Sequence, residues 1–314
     1  MRIFLTGASG YLGSLLAERL AESPEIEGIT GIALTKPGTS WPSKAKFIQM
    51  DIRSPDLTAI MAGHDVVVHT ACIVLWPAKM SAQERDDINY NGVRKVAQAA
   101  LANKVRRFVH ASSMAAYDPL LARGKTDVTE DFACGKGDSP FYYWNAKAEA
   151  ERILSEILGR STTLTFLRPI YIIGPRNQPV VKSYRENAVN FIGHSPRRQF
   201  IHEEDVVAAF LQAIRMDMPG AFNVVPDDFM RLSEVWKIVG KKFVPTIPLW
   251  LARAITGIRW RYLGSPVHPC WVEDMLVDFT GTNSKLKKTG WKPQYGSMEA
   301  LRSAAKLESG MISA

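Results

Sequence analysis

The glycine-rich stretch TGASGYLG (6–13) constrains the fold of this chain most strongly, because its three glycines have the spacing G-x-x-G-x-x-G. It follows the apolar run RIFLT (2–6) and opens the helical pattern YLGSLLAERLAE (11–22). At a strand-to-helix turn, such glycines let the backbone approach a pyrophosphate and let the helix pack closely on the sheet. The helix N-terminus also attracts an anion. We therefore predict a dinucleotide-phosphate site comprising Gly7, Ser9, Gly10, Tyr11, Leu12 and Gly13.

Apolar runs alternate with helical patterns along most of the chain. Runs such as VVVH (66–69) and RFVH (107–110) are apolar throughout, which is typical of strands covered on both faces of a parallel sheet. The alternation predicts the α/β class, with a doubly wound parallel sheet of the Rossmann type. Predicted strands cover 2–6, 29–34, 46–50, 65–71, 106–112, 163–168 and 221–225, and predicted helices cover 11–22, 56–63, 81–103, 142–158 and 203–214.

The rhythm of strand and helix breaks after Pro169. Residues 174–200 are rich in glycine, proline, asparagine and arginine, which indicates a loop with one short helix. From residue 226 onward the pattern is mostly helical. We therefore expect a dinucleotide-binding domain, residues 1–173 plus 201–225, and a smaller, mostly helical substrate-binding lobe, residues 174–200 plus 226–314.

Charge and cysteine content argue against several other classes of protein. The 314 residues carry 39 Lys or Arg and 31 Asp or Glu, which gives a net charge of +8. The basic residues form no run of five or more, so we expect no nucleic-acid partner. Three cysteines without a Cys-x-x-Cys pair predict neither a disulfide framework nor a cysteine zinc site. We assign no metal, because His194, His202 and His268 are not at metal-ligand spacing.

Hydropathy predicts a cytoplasmic protein without a transmembrane segment. No apolar run approaches the roughly 18 residues that a spanning helix needs, and the apolar start MRIFLTG (1–7) is too short for a signal peptide. One amphipathic pattern, PLWLARAITGIRWRYLG (248–264), leaves three interpretations open: packing on its own protein, contact with a membrane surface, or the wall of an apolar substrate pocket. Its apolar face comprises Leu251, Ile255, Ile258 and Tyr262.

The residues after the second and third strands bear on the type of cofactor. Residues 32–36 contain no carboxylate for the ribose 2′-OH of NAD, whereas Lys36 could bind a 2′-phosphate. This pattern favours NADP, with NAD as the alternative, unless Lys36 is a solvated loop lysine. Asp51 and Ile52 are placed to contact the adenine, and a solvated turn is the other interpretation of Asp51.

Two segments carry the residues for proton transfer. Tyr143 and Lys147 are four residues apart on one predicted helix and share a face. Ser112 and Ser113 end a predicted strand, at the sheet edge where ligands bind. We predict that Lys147 lowers the pKa of Tyr143, that Tyr143 is the acid/base, and that Ser113 holds the substrate oxygen during hydride transfer. A surface helix pair is the alternative interpretation of Tyr143 and Lys147.

Together these motifs resemble those of the extended short-chain dehydrogenase/reductases, which include nucleotide-sugar epimerases, dehydratases, dihydroflavonol reductases and 3-beta-hydroxysteroid dehydrogenases. The resemblance runs from Met1 to about Ala300. The segments that carry it are TGASGYLG (6–13), DI (51–52), HTA (69–71), NYNGV (89–93), HASSMAAY (110–117), YWNAK (143–147), LRPIYIIGP (167–175), FIHEEDVVAA (200–209) and KLKKTGWKP (285–293).

The resemblance implies roles for individual residues. It implies that Ser113, Tyr143 and Lys147 are the catalytic serine, tyrosine and lysine, and that Lys147 also reaches the nicotinamide ribose. Asn89 resembles the asparagine that opens the family's N-V-x-G-T segment, and we include it among the catalytic residues. Ala71 resembles the small residue that lets the cofactor cross the fourth strand.

Further expectations follow from the same resemblance. Pro169 to Ile172 resemble the stretch beside the nicotinamide, so Pro169 and Ile172 are predicted to contact the cofactor. Many members dimerise through helices that correspond to 81–103 and 142–158, so a homodimer is expected. The sequence departs from the dehydratases, because Met114 and Ala115 stand where they carry an acidic pair. Dehydration of a nucleotide sugar is therefore not expected.

The sequence leaves three functions open. The first is an NADP-preferring oxidoreductase that interconverts a secondary alcohol and a ketone on a small or lipophilic molecule. The second is a nucleotide-sugar 4-epimerase with tightly held NAD, although the loop 174–200 is short for enclosing a diphosphate. The third is a non-catalytic dinucleotide-binding module. Four arginines could bind an anionic substrate or be solvated: Arg176, Arg185, Arg197 and Arg198.

Overall fold

The computed structural model describes residues 1–38, 41–159, 161–265 and 267–311, so residues 312–314 of the predicted substrate lobe lie outside the described residues. The strands are β1 Arg2–Thr6, β2 Gly28–Ala33, β3 Ala45–Gln49, β4 Val66–His69, β5 Arg107–Ala111, β6 Thr163–Pro169, β7 Tyr171–Ile173, β8 Asn190–Phe191, β9 Arg197–Arg198, β10 Phe200–His202, β11 Gly220–Val224, β12 Met230–Arg231 and β13 Thr246–Ile247. The helices are α1 Tyr11–Glu22, α2 Leu57–Met61, α3 Ala82–Asp86, α4 Gly92–Ala102, α5 Tyr142–Leu158, α6 Gln178–Glu186, α7 Glu203–Arg215, α8 Leu232–Ile238, α9 Leu249–Tyr262, α10 Trp271–Asp274, α11 Ser284–Lys287 and α12 Ser297–Met311.

Seven strands form one parallel sheet in the order β3-β2-β1-β4-β5-β6-β11. The direction of winding reverses between β1 and β4, and in such sheets ligands bind outside the carboxyl ends of the strands at this reversal. The glycine loop leaves β1 at this point. The predicted doubly wound α/β fold is therefore confirmed, and β11 returns to the sheet beside β6 as the sequence predicted.

Successive residues of a strand point to opposite faces of the sheet. Helices cover both faces, so both sets of side chains are buried. On one face, Leu16 of α1 and Phe210 of α7 lie in the same apolar cluster as Leu5 of β1. On the other face, Ile153 of α5 clusters with Phe4, the neighbour of Leu5. This two-sided burial explains why the central strands are apolar throughout.

The segments outside the sheet pair and pack with one another. Short strands pair as β7 with β10, β8 with β13, and β9 with β12. A separate apolar cluster includes Phe200, Trp236 of α8 and Leu301 of α12. From these pairings and this second core we propose the same division into a nucleotide-binding domain and a smaller lobe.

The helix predicted over 81–103 is not one regular helix. α3 is followed by a π-helical segment, Asp87–Asn91, and then by α4. The wider π turn inserts an extra residue and often marks functional sites. Asn89 lies in this segment and is buried, so the irregularity turns its side chain into the protein.

Neither a membrane-spanning helix nor a cluster of metal ligands is present within the described ranges. None of the helices there is long and apolar enough to span a bilayer. No group of three or more His, Cys, Asp or Glu residues in the described part of the chain could hold a metal ion.

Candidate active site

The loop between β1 and α1 has a geometry that only glycine satisfies at two positions. Gly7 has φ +68°, in the left-handed region, and a Cβ on it would lie 2.7 Å from the amide nitrogen of Ala71. A Cβ on Gly13 would lie 2.2 Å from the carbonyl oxygen of Gly7. The carboxyl ends of β1 and β4 therefore approach the start of α1 closely. Ala71 lies at this junction, and its role beside the cofactor stays a prediction.

The N-terminus of α1 has the properties of a pyrophosphate site. Gly10 caps the helix without a side-chain hydrogen bond, and the first turn carries no acidic residue. The side chains of two loop residues have partners elsewhere: the Ser9 hydroxyl contacts that of Thr35 at 3.0 Å, and the Tyr11 hydroxyl donates to Glu203. The side chain of Leu12 packs on the core. The loop therefore offers backbone N–H groups to a ligand, which fits a dinucleotide phosphate.

The predicted adenine and ribose contacts have unequal support. Lys36 is exposed just beyond β2. Arg53 holds Asp51 through two side-chain hydrogen bonds of 2.6 and 3.0 Å, and these bonds lower the pKa of the Asp51 carboxyl. Arg53 also pairs with Asp87 at 2.6 Å. Asp51 is thus held in an ion pair, unlike the solvated turn residue of the other interpretation. The contacts of Asp51 and of the buried Ile52 with adenine stay predictions.

The structure brings Ser113, Tyr143 and Lys147 together. Tyr143 lies in the first turn of α5. The Nζ atom of Lys147 lies 5.6 Å from the centre of the Tyr143 ring and donates to the carbonyl oxygen of Ala111 at 2.7 Å. Burial raises the pKa of the Tyr143 phenol, and the Ser113 side chain near its hydroxyl acts against this rise. Ser113 also donates to the carbonyl oxygen of Pro169 at 3.4 Å, so the predicted Pro169 stretch lies beside this group.

The protonation of the tyrosine differs from the sequence prediction. Burial raises the pKa of Tyr143 and outweighs the opposite effect of Lys147. The prediction therefore had the right sign for Lys147 and was wrong for the net shift, because sequence spacing says nothing about desolvation. Burial disfavours the charge on Lys147, but Cys72, Tyr143 and Glu151 together raise its pKa. At neutral pH the pair is a neutral phenol and an ammonium.

Asn89 has a different environment from the other predicted catalytic residues. Its side-chain oxygen accepts a hydrogen bond from the amide of Ile73 at 2.7 Å, and its amide group donates to the Ile73 carbonyl at 3.3 Å. Both bonds hold the segment that follows β4 and contains Ala71 and Cys72.

Ile172 is half-buried on β7, which pairs with β10.

A buried ion pair behind the site was missed by the sequence reasoning. Glu151 of α5 and Arg168 of β6 are joined by hydrogen bonds of 2.6 and 2.8 Å, and their side chains are only 7% and 6% exposed. The Ser112 hydroxyl donates to Glu151. The pair therefore links α5 to the strand end that carries Ser113. The available signal was that Glu151 follows Lys147 by four residues on the same helix.

An aromatic wall extends from the tyrosine. The Trp271 ring stacks on Tyr143 with centroids 6.0 Å apart and planes at 22°, and its indole N–H contacts the Tyr142 hydroxyl at 3.3 Å. Trp76 packs against Tyr142 at 5.6 Å and stacks on His268 at 4.5 Å. The Arg85 guanidinium also lies over the Trp76 ring, 4.1 Å from its centre, so Trp76 packs within the protein, and Trp271 is the aromatic ring beside Tyr143.

The four arginines that the sequence left open as anion ligands or as solvated charges all have partners within the chain. Arg176 pairs with Glu18 at 2.6 Å and Arg197 with Asp278 at 2.8 Å. Arg185 donates to the carbonyl oxygen of Val239, and the buried Arg198 donates to backbone carbonyls that include that of Met275. The solvated alternative fails for Arg198, which is 1% exposed.

Comparison with known proteins gives relatives along most of the chain. An uncharacterized protein of Mycobacterium tuberculosis is 26% identical over 273 residues, which is 82% of this chain and 70% of the relative. A 4-hydroxy-2-methyl-3-oxo-4-farnesyl-3,4-dihydroquinoline-1-oxide ketoreductase of Stigmatella aurantiaca is 30% identical over 184 residues, about half of each chain (55% and 51%).

Solved structures share the fold along the full length. The UDP-glucuronic acid 4-epimerase of Bacillus cereus in complex with NAD has a TM-score of 0.76 at 18% identity and covers 99% of both chains. The UDP-glucose 4-epimerase of Thermotoga maritima with UDP-glucose has a TM-score of 0.76 at 20% identity and covers 99% of this chain and 100% of its own.

The family assignment rests on a third comparison, which agrees with the glycine loop and with the grouping of serine, tyrosine and lysine. The model of the NAD dependent epimerase/dehydratase family matches residues 3–224, more than two thirds of the chain. This protein is therefore an enzyme of the NAD-dependent epimerase/dehydratase family, within the extended short-chain dehydrogenase/reductases that its motifs resemble.

Proposed function

We propose that this enzyme transfers hydride between a nicotinamide dinucleotide and a secondary alcohol or ketone, with Tyr143 as the acid/base. The observation that carries the proposal is the meeting of Ser113, Tyr143 and Lys147 at the carboxyl edge of the sheet. The glycine loop opens at the same edge. One side of the cleft is thus suited to a dinucleotide and the other to proton transfer.

Three segments of this chain would bind the cofactor. The backbone of Gly7 to Gly13 would hold the pyrophosphate, Ala71 would lie under the dinucleotide, and Pro169 with Ile172 would flank the nicotinamide. When bound, the dinucleotide supplies the ring that accepts or donates hydride. Several structural neighbours were solved in complex with NAD, whereas a preference for NADP depends on Lys36 alone.

Proton transfer would fall to Ser113 and Tyr143. The Ser113 hydroxyl would bind the substrate oxygen and keep it beside the Tyr143 phenol, which would give a proton to that oxygen or take one from it. The Lys147 ammonium would stabilise the phenolate that forms when Tyr143 has given up its proton. The pair Glu151 and Arg168 would hold α5 and the strand end at a fixed separation.

Two net reactions use this chemistry. In nucleotide-sugar 4-epimerisation the same carbon is oxidised and then reduced on its other face. The structural neighbours include several UDP-sugar 4-epimerases, so the comparisons support this reaction better than net oxidation or reduction. Dehydration has no support at the site, where Met114 and Ala115 follow Ser113.

Net interconversion of an alcohol and a ketone is the second candidate, and two observations favour it. The Trp271 ring beside Tyr143 would give the substrate an apolar wall. One relative, 30% identical over about half of each chain, bears the name of a ketoreductase for a farnesylated quinoline oxide.

One experiment separates the two reactions. The nucleotide that co-purifies with the enzyme is identified by mass spectrometry. The enzyme is then incubated with UDP-glucose or UDP-glucuronic acid, and separately with farnesylated or steroid ketones and NADH or NADPH. Epimerised sugar without change in nicotinamide fluorescence supports the 4-epimerase. Stoichiometric loss of reduced nicotinamide with a ketone supports the oxidoreductase, and no turnover with either class counts against the proposal of hydride transfer.

A further inference from the structure

Helix α9 turns its apolar side to solvent. Trp250, Ile255, Ile258 and Tyr262 are 67%, 44%, 55% and 73% exposed, and Ala252 is the one buried residue of this helix. At about 100° per residue these four side chains fall within one sector of the helix. Of the face predicted from the sequence, Ile255, Ile258 and Tyr262 are exposed and Leu251 is half-buried, so most of that face does not pack on its own protein.

Three arginines lie on or beside the exposed face, and one of them, Arg253, pairs with Glu273, a residue outside the helix. Residues 248–264 contain Arg253, Arg259 and Arg261 and no acidic residue, and all three arginines are exposed. The Arg261 guanidinium lies 6.0 Å from the centre of the Tyr262 ring. An apolar face with tryptophan and tyrosine, bordered by arginines, is typical of helices that lie in a membrane interface.

The loop before α9 adds to the same chemistry. Phe243 is 81% exposed, and it follows Lys241 and Lys242 in the sequence. A phenylalanine with this exposure costs free energy in water, and two adjacent lysines would repel a basic partner. Such a combination is complementary to an anionic surface with an apolar interior.

The other side of α9 is firmly attached to the protein near the cleft. The indole N–H of Trp260 donates to the carbonyl oxygen of Trp76 at 2.8 Å, and the two rings pack 5.6 Å apart. Trp76 in turn contacts Tyr142, the neighbour of Tyr143. A surface that held the outer side of α9 would therefore have the aromatic wall of the cleft beside it.

We propose that the exposed face of α9 docks on the surface of an anionic lipid bilayer, with the helix lying in the plane of the interface. Charge decides between this partner and a second copy of the chain. A symmetric pair formed through α9 would bring Arg259 and Arg261 of both copies together. The helix has no acidic residue to offset them, and Glu273 lies outside the helix and already pairs with Arg253. The docking is independent of which reaction the enzyme catalyses.

The test is flotation of the full chain with vesicles of phosphatidylcholine alone and of phosphatidylcholine mixed with phosphatidylglycerol. The variants Trp250→Ser and Ile258→Asp are compared with Phe229→Ser and Met216→Asp, whose wild-type side chains are 48% and 43% exposed outside α9. We expect binding to the anionic vesicles that weakens with salt, and a loss of about tenfold or more in the two α9 variants only.

Three results would overturn the proposal: equal binding to neutral and anionic vesicles, no binding by the wild type, or unchanged binding by the α9 variants. Sedimentation of the same proteins without lipid identifies the competing occupant. A wild-type dimer that Ile258→Asp converts to monomer, together with no vesicle binding, would make α9 a subunit interface. Circular dichroism of each variant checks the fold, and cofactor titration shows separately whether the nucleotide site is intact.

Discussion

The Lys147 ammonium lies beside the Tyr143 ring, 5.6 Å from its centre, and is fixed there by the carbonyl of Ala111 at 2.7 Å. The cation therefore acts on a phenol that burial keeps protonated. In the mechanism proposed above, Tyr143 would be the proton donor at neutral pH, and the cation would stabilise the phenolate once the proton has left. The predictions below start from this pair.

Tyr143→Phe should lower kcat by about 10²–10⁴-fold, because it removes the hydroxyl that exchanges the proton. Cofactor affinity should change little. The matched control is Tyr142→Phe, since the Tyr142 hydroxyl bonds the Val74 carbonyl at 2.6 Å instead. Steady-state kinetics and cofactor titration measure both effects. Equal activity of the two variants would remove Tyr143 from the mechanism.

The pH dependence should differ between the two directions of hydride transfer. Burial raises the pKa of Tyr143, so the proton-donating form dominates at neutral pH. Ketone reduction should hold a constant kcat/KM from neutral pH up to that raised pKa and fall above it, whereas alcohol oxidation should rise with pH over the same range. Lys147→Met should shift both limbs to higher pH, because Lys147 lowers the pKa of the phenol. A shift to lower pH would contradict this account.

Glu151→Gln should lower the free energy of unfolding by about 3–5 kcal/mol, because it leaves the Arg168 guanidinium buried without its counter-charge. Glu149→Gln is the control: Glu149 also pairs with an arginine, but Arg152 is 61% exposed, so the expected loss is below about 1 kcal/mol. Urea unfolding measures both. Similar losses would mean that the buried pair contributes no more than a surface one.

Substitutions at two glycines of the loop should have different effects, one on the stability of the fold and the other on cofactor affinity. Gly13→Ala should destabilise the protein, because the added Cβ would meet the Gly7 carbonyl oxygen at 2.2 Å. Gly10→Ala meets the same oxygen at 3.1 Å, so its fold should survive while cofactor affinity falls by about tenfold or more. Thermal unfolding and nucleotide titration distinguish the two variants. Unchanged affinity in Gly10→Ala would place the pyrophosphate elsewhere.

Lys36→Ala tests the preference between the two dinucleotides. If Lys36 binds the 2′-phosphate, NADP affinity should fall by about 1.5–3 kcal/mol, the value of a hydrogen bond to a charged group, and NAD affinity should not change. Lys44→Ala, another exposed lysine, is the control. An equal effect on both dinucleotides would show that the lysine does not distinguish them.

Local sequence was sufficient for the elements and for most of their order. The period of apolar residues predicted α1 and α5 to the residue, and the apolar strands indicated burial on both faces. Glycine spacing predicted a phosphate loop because the left-handed φ of Gly7 and the contact of Gly13 with the Gly7 carbonyl involve residues close in sequence. The approach of Gly7 to Ala71, in contrast, depends on the fold. Two regions differed from the prediction. The π segment around Asn89 interrupts the helix predicted over 81–103, and the region 174–200, predicted as a loop with one short helix, also contains the short strands β8 and β9.

Tertiary structure decided what depends on contacts between distant segments. The ion pair of Glu151 with Arg168, the Trp271 ring on Tyr143 and the raised pKa of the phenol all arise from residues that only folding brings together. The exposure of α9 is of the same kind, because an amphipathic pattern has the same period whether its apolar side faces the core or the solvent. Periodicity is a property of neighbours along the chain, whereas desolvation and partnership are properties of neighbours in space.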